Sequence, residues 1–153
     1  MAWIRAAGQP ESIKDIFKDG VLEVGMGAYP YKAYNIGAAG SAGGTLSIVN
    51  GKLRLYKNGY TGDTSWITDE IDLTNVNSIT INVSTFASFT MYAGVTQSGL
   101  ADNYVMQNTT SISNTGIFTI DTSNIVGSAR LAICLYVTNT STHYMDVDSI
   151  VLN

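Results

Sequence analysis

The amino-acid sequence predicts an all-β protein: an antiparallel β-sandwich of the jelly-roll type, with a short N-terminal helix and an extended arm. Short segments rich in β-branched and aromatic residues recur from residue 45 onward, at a spacing of about ten residues. Apolar and polar residues alternate within most of them, as expected for strands with one buried face. No segment between them has the length of a crossover helix, which favours antiparallel over parallel pairing.

The size and charge of the chain limit what it can bind. Its 153 residues predict one domain, and 13% of them are charged, well below the usual ~25%. The formal net charge of −4 and the scattered basic residues argue against nucleic-acid binding, which needs a basic stripe. No run approaches the ~20 apolar residues of a membrane span. The start Met-Ala-Trp-Ile-Arg does not have the pattern of a signal peptide.

The one helix that the sequence predicts lies within residues 10–20. Ile13, Ile16 and Phe17 have the i, i+3, i+4 spacing of one helix face, and Gly20 suits the position after a helix C-terminus. A helix of about eight residues is too short to be stable alone in water, where ~12–15 residues are already marginal. We therefore expect it to dock on the sandwich or on a neighbouring subunit.

Residues 1–44 are predicted to form an arm that docks or anchors the protein, and residues 45–153 to form the jelly roll. The boundary follows residues 37–44, a run of small residues that indicates a linker or a loop laid closely on another backbone. Tyr29, Tyr31 and Tyr34 precede this run. Together with the three apolar residues of the helix, they are the candidate interface and anchoring residues.

From residue 45 onward the strand signals are regular. Asn50-Gly51 is a strong signal for a type I′ turn, so residues 45–49 and 52–57 are expected to form a hairpin. Phe89 and Met91 are expected to point inward from a later strand. The other expected strands span residues 66–73, 78–84 and 88–96, with an edge strand at 104–107 and three closing strands within 116–153.

The last strand cannot be regular along its whole length. Met145 and Val147 share one parity, whereas Ile150 and Leu152 share the other. Because successive side chains of a strand point to opposite faces, an unbroken strand would bury only one of these pairs. The pattern therefore predicts a bulge or bend near residues 148–149.

The strand predicted at residues 130–138 is apolar on both faces. Its second face carries Ala132, Cys134 and Tyr136, none of which is charged. We expect this face to be covered, either by the arm or by a neighbouring copy of the chain.

Cys134 and His143 are the one cysteine and the one histidine of the sequence. Nucleophilic catalysis needs a base beside the nucleophile, and the two residues lie on successive predicted strands. Cys134 has apolar neighbours on its strand, however, where an inert core thiol is expected. We predict no catalysis by this pair, no disulfide, no zinc site and no cofactor.

Paired carboxylates are the residues that glycoside hydrolysis needs. The candidates are Asp69, Glu70, Asp72, Asp121, Asp146 and Asp148. Asp146 and Asp148 would lie on one face of a strand, about 7 Å apart. We interpret them as solvent-facing charges that protect an edge strand from aggregation. A structural calcium ion held by these two carboxylates and by loop carbonyls is the alternative.

Aromatic side chains are the remaining candidates for a binding site. Flat amphipathic rings can cover the sandwich, form subunit contacts or stack on sugar rings, and the sequence leaves these three roles open. The candidate ligand-binding residues are Tyr56, Tyr60, Trp66, Tyr92 and Tyr104.

Three segments of the chain resemble the jelly-roll domains of bacteriophage structural proteins. They are Asp-Leu-Thr-Asn at 72–75 with the alternating strand at 78–83, Gly-Ile-Phe-Thr-Ile-Asp-Thr-Ser at 116–123, and Asp-Val-Asp-Ser-Ile-Val-Leu at 146–152. Those domains are similar in turn to carbohydrate-binding modules and galactose-binding-like folds. The resemblance covers about residues 45–153 and implies attachment or display on a virion, with host-surface glycan binding as a frequent role.

The leading hypothesis is therefore a non-enzymatic virion protein, a head decoration or a tail or fibre component. Its arm would dock on other virion proteins and on copies of itself, and its jelly roll would be displayed and could bind a host-surface glycan. The alternative is a free-standing soluble carbohydrate-binding module. A glycoside-active enzyme fragment is a third and weaker hypothesis. None of the three involves nucleic acid or a membrane.

Overall fold

The computed structural model describes residues 15–37 and 39–153. These residues form strands and no helix, which confirms the predicted all-β class. In chain order the strands are β1 (Phe17–Lys18), β2 (Val21–Leu22), β3 (Met26–Tyr29), β4 (Lys32–Ala33), β5 (Gly44–Val49), β6 (Lys52–Lys57), β7 (Gly62–Thr68), β8 (Ile71–Asp72), β9 (Ser78–Ala87), β10 (Met91–Thr96), β11 (Asn103–Tyr104), β12 (Gln107–Ile112), β13 (Gly116–Asp121), β14 (Ser128–Val137) and β15 (His143–Leu152).

Thirteen of the described strands form two antiparallel sheets, which confirms the predicted sandwich, and β4 and β11 form a separate parallel pair. Sheet A begins with the order β13-β9-β15. On its other side, β15 pairs with β6 along its first half and with β1 along its second half. β5 pairs with the outer side of β6, and β2 pairs with the outer side of β1. Sheet B has the order β12-β10-β14-β7-β3, with β8 also beside β14. None of the described residues forms a helix long and apolar enough to cross a membrane.

The main core lies between the two sheets. Leu53 and Ile81 of sheet A and Trp66, Leu131 and Ile133 of sheet B are all fully buried within one apolar cluster. Alternation explains this, because every second residue of a strand faces the opposite sheet. Burial of one large apolar side chain contributes about 1.5–3 kcal/mol, so this cluster is the main stabilising element of the fold.

The predicted bulge in the last strand is present. The register between β15 and β9 shifts between Asp146 and Val147 and again between Val147 and Ser149, so that Asp148 is left without an opposite residue. Both apolar pairs of β15 are consequently buried in the main core, although they differ in parity. The buried residues are Met145, Val147, Ile150 and Leu152.

The predicted hairpin of β5 and β6 is also confirmed. Asn50 and Gly51 have φ angles of 52° and 74°, and Val49 pairs with Lys52 on either side of them. A two-residue loop with both φ angles positive is the type I′ turn that this dipeptide favours.

The described end of the predicted helix is a second hairpin of the same kind. Asp19 and Gly20 have φ angles of 51° and 77°, and they join β1 to β2. The dipeptide Asp-Gly is common in type I′ hairpin turns, and its glycine is also common just after a helix. At this position it forms the hairpin turn. The rest of the predicted helix, including Ile13, lies outside the described residues.

Ile16 and Phe17 are therefore core residues, and of the two docking partners that the sequence left open the structure shows the sandwich. Both are fully buried in the main cluster. Phe17 pairs with Leu22 on one side and with Ile150 of β15 on the other. This segment adds strands to sheet A, and the docking partner of its apolar side chains is the sandwich itself.

A second apolar cluster covers part of the outer face of sheet B. It confirms the predicted cover over Ala132 and Cys134 of β14, whereas Tyr136 on the same face is 38% exposed. Residues from β4 and from the segment around β11 pack on side chains of β7 and β14. The buried members are Ala33, Ile67, Tyr104, Met106, Ala132 and Cys134. The cover comes from this chain, and β3 joins the edge of sheet B beside β7. The division of the chain at residue 44 stays a prediction.

The small-residue segment before β5 runs closely over neighbouring backbone, as one of its two predicted roles required. Gly40 forms a parallel bridge with Asp63 of β7. A Cβ atom at Gly40 would overlap the carbonyl group of Pro30, so no larger residue fits there without a backbone shift.

Three details of the strand prediction are wrong. The strand expected at residues 66–73 is interrupted at Asp69 and Glu70, between the end of β7 and the start of β8. Phe89 does not point inward, because β10 begins only at Met91, and the Phe89 side chain is 42% exposed.

The edge strand expected at residues 104–107 is not present as such: Tyr104 belongs to β11, and the edge strand of sheet B is β12, which begins at residue 107. The sequence of β12, Gln-Asn-Thr-Thr-Ser-Ile, has almost no alternation of apolar and polar residues. This strand is defined by its pairing with β10, which the local sequence does not indicate.

The cover over sheet B predicts a slow reaction at Cys134. Burial raises the pKa of this thiol to about 11 and also blocks access to it. In a time course with a thiol reagent at about pH 8, we expect the native protein to react far more slowly than the protein unfolded in guanidinium. Equal rates in the two states would mean that the cover opens readily.

Candidate functional site

The outer face of sheet A carries the candidate site. On β6, Leu53 and Leu55 are buried in the main core, so Arg54 and Tyr56 project from the opposite face. Within the described part of the chain, neither apolar cluster includes the Tyr56 ring.

Strand β15 presents a matching pair of side chains beside β6. Because Met145 and Val147 face the core, Tyr144 and Asp146 face outward. Tyr144 lies directly opposite Tyr56 in the β15–β6 register. Thr45 of β5 and Ala87 of β9 extend this line across four strands. We call the residues Thr45, Tyr56, Tyr144 and Ala87 the tyrosine row.

An ion pair fixes the side chains beside the tyrosine row. Arg54 Nε donates to Asp146 Oδ1 at 2.7 Å, and Arg54 Nη2 donates to Asp146 Oδ2 at 2.9 Å. The hydrogen bond to Asp146 is the main reason that the pKa of Arg54 is raised. Arg54 Cζ also lies 4.5 Å from the centre of the Tyr144 ring, a cation–π distance. The three side chains thus hold one another in place.

A second ion pair joins Lys52 to Asp148 on the same two strands. Each of the β6 cations Lys52 and Arg54 is therefore matched by a carboxylate of β15, one strand away. Hydroxyl and amide side chains lie beside them, such as Thr85 opposite Asp146 and Asn82 opposite Ser149, and the exposed Ile117 of β13 lies on the other side of Asn82. The surface can donate and accept hydrogen bonds, but it offers no unpaired cation to an acidic ligand.

The structure brings some of the predicted ligand residues near this face. Tyr56 lies on it. Tyr60 is 57% exposed, and its ring lies against Gly43, just before β5, at the end of the sheet that carries the tyrosine row. Tyr92 is half-buried and lies on the opposite side of the molecule, against the second cluster.

Trp66 and Tyr104 do not offer a ring to solvent. Trp66 is fully buried between the sheets, and its Nε1 donates to the Thr45 carbonyl at 2.8 Å. Tyr104 is buried in the second cluster, with its hydroxyl 2.6 Å from Ser65 Oγ. Burial raises the pKa of Tyr104 far above its ordinary value. Both rings are packing residues in this structure.

The three tyrosines of the arm lie on the sheet B side. Tyr29 and Tyr31 stack with ring centres 4.9 Å apart and pack on the second cluster. Tyr34 is 68% exposed, with Lys32 Nζ 5.5 Å from its ring centre. Their role in anchoring the protein to a partner stays a prediction.

Asp146 and Asp148 are not on an edge strand, which corrects that part of the interpretation. β15 has neighbours on both sides, and the Asp146 side chain is only 9% exposed. Each carboxylate is held by a cation, and no group of three or more His, Cys, Asp or Glu side chains converges among the residues described. This arrangement does not favour the calcium alternative.

Cys134 and His143 belong to different parts of the molecule. Cys134 lies in the second cluster, with its Sγ atom 3.6 Å from Asp63 Oδ2. His143 lies at one end of β15 opposite Lys57, and its Nε2 is 3.0 Å from Asn139 Oδ1. Burial and the nearby charge of Lys57 lower the pKa of His143.

Sequence reasoning missed Tyr144 and Arg54 as site residues. The alternation in His-Tyr-Met-Asp-Val could have placed Tyr144 outward, because Met145 and Val147 were already expected to be buried. The pairing of β6 with β15 had no local signal, since it joins residues as far apart as Arg54 and Asp146.

Comparisons with known proteins show a shared fold. By sequence, the chain matches no known protein family and no curated protein. Among solved structures it is similar to a low-affinity xylan-binding module, CBM86, from the gut symbiont Roseburia intestinalis. The TM-score is 0.54 at 14% identity, over 85% of this chain and 94% of that one. It is also similar to a CBM4 module, with a TM-score of 0.53 at 18% identity, over 84% of this chain and 94% of that one.

The Arg54–Asp146 pair predicts a specific pattern of stabilities. We expect Arg54→Met to lower the midpoint of thermal unfolding, because it leaves a largely buried carboxylate unpaired. The double variant Arg54→Met/Asp146→Leu should recover most of the loss, since no charge is then left alone. Lys52→Met, at the more exposed pair, is the control and should cost less than about 1 kcal/mol. A double variant no more stable than Arg54→Met would contradict this account.

The lowered pKa of His143 predicts a loss of stability on mild acidification. Below about pH 6.5 the unfolded chain protonates this residue, whereas the folded chain does so only at lower pH. The unfolded state then binds more protons, so stability rises with pH across this window and falls as the pH drops. Urea unfolding at about pH 5.5 and about pH 7.5 should show the difference. His143→Gln should show a smaller one; an unchanged difference would assign the effect to other groups.

Proposed function

We propose that this protein is a non-catalytic carbohydrate-binding module whose binding surface is the outer face of sheet A. The observation that carries the proposal is the tyrosine row, in which Tyr56 and Tyr144 lie side by side on a sheet face that neither apolar cluster of the described residues covers. Sugar rings present apolar C–H faces that stack on aromatic rings, while their hydroxyl groups need hydrogen-bonding partners at the rim. Both requirements are met on this one surface.

Arg54 is the residue expected to hydrogen-bond the ligand. Guanidinium has five N–H donors, and Asp146 accepts from two of the nitrogens. The other N–H groups remain for sugar hydroxyls. Since Asp146 and the Tyr144 ring hold the guanidinium in place, little side-chain entropy is lost when the ligand binds.

The ligand class that this face fits best is a neutral polysaccharide. The two cations that β6 presents on this face are paired with carboxylates of β15, and Lys18 of β1 is paired with Asp15, so an acidic glycan would find no free positive charge among the described residues of this face. Binding should therefore depend little on salt concentration. The likeness in fold to a xylan-binding module makes xylan and related neutral glycans the first candidates to test.

The proposed role needs no enzymatic activity, and the two carboxylates of β15 serve in this scheme as partners for Arg54 and Lys52. The hypothesis of a virion component has no counterpart in the comparisons, and no contact of the described residues favours it. The free-standing carbohydrate-binding module, the alternative from the sequence, is the function that we adopt.

Binding to soluble xylan, neutral β-glucans and an acidic pectin tests the proposal. We expect retardation of the native protein by at least one neutral polysaccharide in affinity electrophoresis, with no retardation by the acidic one. Tyr56→Ala and Tyr144→Ala should each weaken binding by about tenfold or more, because each removes a stacking ring. Isothermal titration calorimetry gives the affinities of the variants.

Tyr34→Ala is the matched control, since Tyr34 is an exposed tyrosine on the opposite side of the sandwich. It should bind as the native protein does. The proposal fails if no neutral polysaccharide binds, or if Tyr34→Ala weakens binding while both sheet A variants leave it unchanged.

A further inference from the structure

A polar groove lies at one edge of the sandwich, where β12 of sheet B approaches β13 of sheet A. Its volume is about 350 Å³. Every described lining side chain carries a hydroxyl, an amide or a carboxyl group, and none of these side chains is aromatic or cationic. The lining residues are Asn108, Thr109, Thr110, Thr119, Asp121 and Asn124.

An unusual backbone conformation shapes this groove. The register between β12 and β10 shifts between Ala93 and Val95, and Asn108 within this irregular stretch has a φ angle of 54°. Its Nδ2 donates to the Asp121 carbonyl and to Asn124 Oδ1, both at 2.7 Å. Left-handed residues other than glycine cost free energy and are often found at binding sites. Asn108 thus ties the two walls together.

The chemistry of the lining narrows the ligand to two classes. An anion would meet the Asp121 carboxylate, whose lowered pKa keeps it ionised, and no cation. An apolar ligand would leave the hydroxyl and amide groups without partners. A divalent cation or a hydroxyl-rich molecule remains.

A cation is the less suitable of the two. Calcium takes six to eight oxygen ligands, commonly from several carboxylates, and Asp121 is the one carboxylate of the groove. Its Oδ1 already accepts from the backbone N–H and the hydroxyl of Ser123. The other Asp121 oxygen and the threonine hydroxyls suit a pair of neighbouring sugar hydroxyls, which donate and accept hydrogen bonds at once.

We infer that this groove is a second subsite, which binds the hydroxyl groups of one sugar residue of a neutral glycan without aromatic stacking. The inference rests on the proposed function, because it takes the same class of ligand. The strand register gives the distance of the groove from the tyrosine row. Thr119 of the groove pairs with Thr80 of β9, which pairs in turn with Val151. Val151 and Tyr144 lie near opposite ends of β15. The groove is therefore about 20 Å from the tyrosine row along the strands, so only an oligomer could contact both.

Amide chemical shifts separate the two subsites. We expect titration of the ¹⁵N-labelled protein with xylopentaose, cellopentaose and a mixed-linkage glucan oligomer to shift the amides of Asn108, Thr119 and Asn124. The double variant Thr119→Val/Asp121→Asn should weaken the response of these signals by about tenfold or more. Asn at position 121 can still accept from Ser123, so the turn is retained. Thr80→Val, one strand inward, is the control and should respond as the native protein does.

The outcomes distinguish this inference from the proposed function. If the amides near Tyr56 and Tyr144 shift while those of the groove do not, the second subsite is wrong and the proposed function stands. If calcium chloride alone shifts the groove amides and the oligosaccharides do not, the groove is a cation site and the inference is overturned. If no oligosaccharide or polysaccharide binds anywhere, both fail.

Discussion

In β15, the extra residue at Asp148 decides which side chains meet the core and which meet solvent. Without the bulge, a strand that buries Met145 and Val147 would expose Ile150 and Leu152. With it, β15 buries apolar residues at both ends and can serve as the central strand of sheet A. The half of β15 before the bulge keeps a regular register with β6 and sets Tyr144 opposite Tyr56, so the core and the candidate site share this strand.

The two outer faces of the sandwich differ for a chemical reason. On sheet B the outward residues Ile67, Ala132 and Cys134 are apolar, and the chain covers them with its own segments from either side of β4 and β11. Around the tyrosine row of sheet A the outward residues are tyrosines, ion pairs and hydroxyl groups, which are stable in water without a cover. Val21 and Ile117, which are exposed apolar side chains of this sheet, lie on other strands. The open face is consequently the one whose side chains can exchange water for a polar ligand.

Local patterns predicted much of this fold. Alternation, the Asn-Gly turn and the parity change in the last strand were sufficient for the sandwich, one hairpin and the bulge. The prediction was wrong at Asp19-Gly20, where one dipeptide fits both a helix end and a hairpin, and at β12, whose polar sequence has no strand pattern. Most of the candidate site could not be predicted from local sequence patterns, because Arg54 and Asp146 are 92 positions apart. Trp66 and Tyr104 are buried and therefore cannot stack on a ligand, unlike the aromatic residues of the outer face. Their burial depends on tertiary contacts, which the sequence pattern does not show.

The position of β15 in sheet A also has a consequence for synthesis of the protein. β15 pairs with β1, β6 and β9, all of which leave the ribosome long before it. Until β15 emerges, these strands carry unsatisfied edges, and contacts between residues distant in sequence form slowly. Sheet A can therefore close only late in translation, and a nascent chain stalled before residue 143 would present apolar strand edges to chaperones or to other nascent chains.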